Sequence, residues 1–152
     1  MTKTTKILTG IVLLLILLMI VAIVVFAFFT PRIAQLLCDR YTRGNTVALC
    51  AFMYLGEAAA CWCLMPLFFI MNSVLKGQPF VRSNVRAINH MAAACALAFV
   101  DIAALLVIYG GFQFLGLICC CAILLFATLC CYVVSRVFDR AVAYKLENDL
   151  TV

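Results

Sequence analysis

The chain has 152 residues, 68% of them hydrophobic and 11% charged, and its 11 Lys and Arg outnumber its 6 Asp and Glu to give a net charge of +5. Soluble domains carry roughly 25% charged residues, so a water-facing surface cannot be built from this composition, and a mean hydropathy of +1.23 puts most of the surface against lipid. The positive balance does not argue for nucleic acid, because the cations sit in loops and tails, where Lys and Arg set membrane orientation.

The opening MTKTTK leads into residues 7–29, which contain no charged side chain. About 20 apolar residues cross a ~30 Å hydrocarbon core, so this is the first span. It exceeds the h-region of a signal peptide, and FAFFTPRI offers no small-x-small cleavage site; a retained helix is expected. Pro31 should end it, since proline cannot continue a helix interior. In the loop PRIAQLLCDRYTRGN, Ile33, Leu36 and Leu37 suit one short interfacial turn, closed by Gly44 and Asn45.

The second span, residues 46–75, carries one charge, Glu57. Thr46 is its expected N-cap. Pro66 removes the hydrogen bond to the Trp62 carbonyl and should kink the inner half of the helix. Trp62 lies too deep for an interfacial belt and is expected to fill the bundle interior.

The longest polar interruption follows, VLKGQPFVRSNVRAINHM, residues 74–91. Gly77 stands where a helix C-cap wants a left-handed residue. Gln78-Pro79 forces an extended step, Phe80 can dip back into the interface, and Ser83 or Asn84 can cap the next helix. Arg82 and Arg86, four apart, share a side near lipid phosphates. The stretch holds no paired carboxylates, no nucleophile–base spacing and no glycine-rich cradle; it reads as a bend that returns the chain to the membrane.

The third span, residues 88–109, carries Asp101, and the uncharged turn GGFQ joins it tightly to the fourth, residues 113–134. The tail, residues 135–152, continues the fourth helix as a mixed-charge stub ending near Asn148. With four spans both termini and the middle loop share one side. That side holds Lys3, Lys6, Lys76, Arg82, Arg86, Arg136, Arg140 and Lys145; the other holds Arg32, Arg40 and Arg43. Eight against three places both ends in the cytoplasm. The expected fold is all-α, an integral membrane four-helix bundle in one domain, N-in and C-in, with a short cytoplasmic helical tail.

Glu57 and Asp101 both fall near the bilayer middle, where an acid costs about 2.5–3.5 kcal/mol and is a functional-site hypothesis by default. No Lys or Arg lies at comparable depth, so each acid should be protonated, hydrogen-bonded across helices, or holding a cation. His90 and Asp101 are eleven apart, which returns to nearly the same helix face, and Tyr54 and Cys61 flank Glu57 at i−3 and i+4. Two readings stay open: a proton or cation relay through His90, Asp101 and Glu57, or a neutral pair that locks two helices together.

The 10 cysteines lack the spacing of a zinc site and read as small apolar residues; a disulfide between Cys38 and Cys50 is left open. The runs EAAACWC and MAAACALA are small-residue faces that pack helices closely or mark a homo-oligomer interface. No metal, no cofactor and no catalytic constellation is expected, so the chain is read as a non-enzyme.

Two segments, KGQPFVRSNVRAI and VFDRAVAYKLENDLTV, resemble the bacterial membrane family known as the domain of unknown function DUF2975. Its members look like four-span proteins with a G-x-P-F segment in the middle loop and a closing E-N-D-L-T-[IV] tail. The matching positions are Gly77, Pro79, Phe80, Asn84 and Arg86, then Glu147, Asn148, Asp149, Leu150, Thr151 and Val152. The resemblance implies no activity; it suggests a cytoplasmic partner, a small helix-turn-helix regulator, docking on loop and tail. The expected function is therefore a regulatory or interaction protein of the cell membrane that contacts lipid and this partner but not nucleic acid directly. The alternative is a small proton- or cation-coupled transporter, or a subunit of one, that uses Glu57 and Asp101.

Overall fold

The computed structural model describes residues 3–39, 45–109 and 115–150. These form four helices in chain order: α1 Lys3–Leu37, α2 Thr46–Leu75, α3 Arg82–Ile108 and α4 Leu115–Leu150. At 1.5 Å per residue they are about 40 to 54 Å long, and each is long and apolar enough to cross a membrane. The chain is a multi-pass, all-α membrane protein.

Side-chain exposure follows from that solvent. Large apolar groups point outward, with Phe28 80% and Val107 84% exposed, whereas Thr30, Ala34, Ala59, Ala94, Asp101 and Ser135 are buried. Lipid offers no hydrophobic drive between helices, so close packing of small residues and cross-helix hydrogen bonds must hold them together.

Each helix packs antiparallel against its neighbour in sequence. Ala34 and Cys38 at the end of α1 meet Leu49 of α2. The Cys63 and Cys95 sulfurs lie 3.9 Å apart between α2 and α3, and the Tyr109 hydroxyl donates to the Asn45 carbonyl at 3.1 Å. Between α3 and α4 the Ser135 hydroxyl donates to Asn89 Oδ1 at 2.7 Å. Among the described residues α1 and α4 form no extended contact. The bundle is thus open along one seam, and a cavity of about 430 Å³ lies there. Its floor is Gly56 and Ala59 of α2 with Ala94 and Ala98 of α3, and Met19 and Leu124 flank it.

Several helix ends differ from the expectation. α1 does not stop at Pro31 but runs through it to Leu37. Proline deprives the carbonyl four residues earlier, that of Ala27, of its helical donor, and the Tyr54 hydroxyl of α2 donates to that carbonyl instead, at 3.3 Å. Neighbouring helices repairing a proline gap is what makes such residues tolerable in membranes. Ile33 and Leu37 therefore lie in α1 rather than in a separate turn. The cap of α2 is Asn45, not Thr46: its side chain accepts from the Val47 amide at 3.0 Å.

The turn after α2 is as the sequence predicts. Gly77 has φ +75°, the Gly77 amide donates to the Val74 carbonyl at 3.0 Å, and the Gln78 amide donates to the Ser73 carbonyl at 3.1 Å. This pair of bonds is a Schellman motif, which needs a left-handed residue where Gly77 stands. α3 begins at Arg82, and Val81 precedes it without a side-chain cap. Ser83 and Asn84 are inside the helix, so neither caps it. The turn at residues 110–113 and the outer-loop residues 40–44 lie outside the described residues.

Candidate functional site

Two places bring the candidate residues together. The first is a polar layer crossing α1, α2 and α3. The Thr30 hydroxyl, fully buried, donates to Glu57 Oε1 and also approaches its own helix's Phe26 carbonyl at 3.2 Å. A hydroxyl has one proton, so the second contact alternates with the first. Glu57 therefore turns toward α1. The next residue, Gly56, turns toward α3: a Cβ built there would stand 3.3 Å from Asp101 Oδ2. Asp101 is 5% exposed, and its Oδ1 has no hydrogen-bond partner.

The two acids thus share a layer without sharing a hydrogen bond. Thr30, not Asp101, is the partner of Glu57, so the pairing between the acids expected of a helix lock is absent among the described residues. His90 is exposed and lies beside Trp62, with ring centroids 6.4 Å apart. It faces a cleft nearer the other end of α3 and makes no hydrogen bond to Asp101. Trp62 does not fill the interior: it is 45% exposed and lines that cleft with His90.

The second place is the end of the bundle where α2 stops, α3 starts and α4 runs on. Here the loop motif is tied down. The Ser73 hydroxyl donates to the Gln78 carbonyl at 2.6 Å, and the Asn84 side-chain amide, 2% exposed, donates back to the Pro79 carbonyl at 2.7 Å. Pro79 presents Phe80, whose ring lies 5.6 Å from that of Phe138 on α4. Arg86, one turn into α3, is exposed. The α4 helix continues through Glu147, Asn148, Asp149 and Leu150, with Val142 still buried at 4% exposure. Thr151 and Val152 lie outside the described residues.

Sequence reasoning missed Thr30, Phe138 and the Asn89–Ser135 pair as site-forming residues. Thr30 carried a weak signal, a hydroxyl directly before a proline in an apolar helix. The others carried none, because their roles depend on cross-helix register. Cys38 and Cys50 are both free thiols at the same α1–α2 cluster. Among the described residues no group of three or more His, Cys, Asp or Glu side chains could hold a metal ion.

No curated protein and no solved structure matches the chain. Residues 39–152 match a family described as protein of unknown function, DUF2975. That segment takes in α2, α3, α4 and both the Gly77 turn and the α4 extension, three-quarters of the sequence. The chain belongs to the DUF2975 family.

Proposed function

We propose that this is a non-enzymatic regulatory or interaction protein of the cell membrane, whose loop at residues 77–86 and tail at residues 147–152 dock a cytoplasmic partner. The observation that carries the reading is the ring contact between Phe80 and Phe138 at 5.6 Å. It joins the loop motif to the root of the helix that leads into the tail, which supports treating loop and tail as parts of one docking region. The charge count of eight cations against three supports a cytoplasmic location for that surface. The tail sequence is acidic at Glu147 and Asp149, which in this reading suits a basic partner such as a small helix-turn-helix regulator. In this reading the membrane protein holds the regulator away from its target and releases it when the bundle changes.

Affinity capture of the full chain from native membranes tests the proposal. A partner should be retained by the intact chain and lost on deletion of residues 147–152 or on Phe80→Ala. Equal retention by both variants rejects the shared surface.

A second reading has its own support. Asp101 is buried with an unpartnered oxygen, and an intramembrane acid is costly enough to need a reason. Proton- or cation-coupled transport through Asp101 and Glu57 would supply one. Flux into liposomes that disappears in Asp101→Asn and Glu57→Gln would favour it; absence of flux in the unaltered chain dismisses it.

A further inference from the structure

One cavity lies beside the Gly77 turn. It is a cleft of about 700 Å³ on the outer side of the α2–α3 hairpin. Its deep end is walled by Trp62, Met65 and Phe69, with the neutral ring of His90 beside the indole, and its shallow end carries Lys76 and Arg86. No Asp or Glu lines it. Asp139, the nearest acid in the tail, belongs to a separate pocket with Asn89 and Ser135 between α3 and α4. Neither Lys76 nor Arg86 has an ion-pair partner among the described residues. The charge of the cleft is therefore positive and uncompensated at one end only.

Its length matches a bilayer leaflet. From Trp62 to Lys76 is fourteen residues of α2, about 21 Å along the helix. Half of a 40–45 Å bilayer, headgroups included, is about 20–22 Å. A molecule that fills the cleft has an anionic head between Lys76 and Arg86 and an apolar tail running down past Met65 to Trp62. Pro66 is buried and lines the cleft about one turn from Trp62.

We infer that the α2–α3 cleft is a binding site for one anionic phospholipid of the surrounding leaflet, its phosphate held by Lys76 and Arg86 and one acyl chain laid against Met65, Phe69 and Trp62. Basic pockets between helices on the membrane surface select acidic headgroups in this way. The cleft borders the docking loop and shares Gln78, Val81, Ser83, Asn84 and Arg86 with it, whereas Phe80 does not line it and packs against Phe138 of α4 instead.

Native mass spectrometry of the full chain in detergent tests the inference, with phosphatidylglycerol and phosphatidylcholine added as competing probes. One phosphatidylglycerol should be retained in preference to phosphatidylcholine. The preference should fall about thirtyfold in Lys76→Gln/Arg86→Gln, which removes two cation–headgroup attractions. It should persist in Lys76→Arg/Arg86→Lys, a variant that also controls for folding. Arg140→Gln/Lys145→Gln, which removes the same charge from the tail, should change it less than twofold. An equal fall in the tail variant would reduce the effect to a diffuse basic rim and overturn the site. Retention without headgroup preference, or no retention by the unaltered chain, overturns it as well.

Discussion

The most informative residues are those whose neighbours repair a local fault. Pro31 interrupts α1 on paper, yet the helix passes through because Tyr54 supplies the donor that the Ala27 carbonyl lacks. Tyr54→Phe should therefore destabilise the chain by about 0.6–1.7 kcal/mol, the range of interhelical hydrogen bonds in membranes, as read by denaturant unfolding in detergent. In a Pro31→Ala background the same change should cost much less, because the alanine amide restores the donor; equal costs in both backgrounds would break the account. The acid layer makes a second prediction. Thr30→Val orphans Glu57 and should cost a similar amount, whereas Asp101→Asn, at a carboxyl whose Oδ1 has no hydrogen-bond partner, should leave unfolding unchanged or shift it toward greater stability. The sequence made Glu57 and Asp101 visible, since a charge in an apolar run stands out without structural help. It hid Thr30 and Tyr54, whose meaning depends on residues 27 positions away.

At the level of elements, what was legible is local and what was missed is not. The four helices follow from hydropathy, and the α2 C-terminus follows from Gly77, whose φ of +75° an L side chain adopts only at a cost. Gly77→Ala should destabilise the α2–α3 junction by about 1–2 kcal/mol, the penalty for a left-handed backbone. The readout is thermal unfolding in detergent. Since open space surrounds the added methyl group, the effect is conformational and a Gly77→Asn change should recover part of it. The α3 start escaped the sequence for a physical reason. Hydropathy marks where hydrocarbon begins, near Ile88, but the hydrogen-bonded helix begins at Arg82, and nothing apolar distinguishes that first turn. Asn84 looked like a cap because Asn often is one; in place it folds back on Pro79 and fastens the loop beneath the helix. The α4 helix needed no such correction, since its mixed-charge tail keeps good helix formers such as Ala, Leu, Lys and Glu.

For the whole molecule, the antiparallel order of four helices requires that residue 148 and residue 76 emerge on the same side. A protease site placed after Asn148 should be cut in inside-out vesicles and spared in intact cells; the reverse would invert the orientation that the charge count supports. The order of packing was legible in part: the short uncharged GGFQ turn implied that the third and fourth spans pair, as α3 and α4 do, whereas the small-residue runs on the second and third spans announced close approach without excluding a subunit interface. Those faces in fact meet each other and leave a seam where α1 and α4 stay apart. α1 is accordingly fastened along one flank alone, and it lies outside the segment that matches the family. Helices answer a change in bilayer thickness by tilting. A helix held on one side can tilt by disturbing one interface, whereas α2 or α3 would have to disturb two. The grip of Thr30 on Glu57 lies on that single flank, so any change in the angle of α1 falls on its interface with α2.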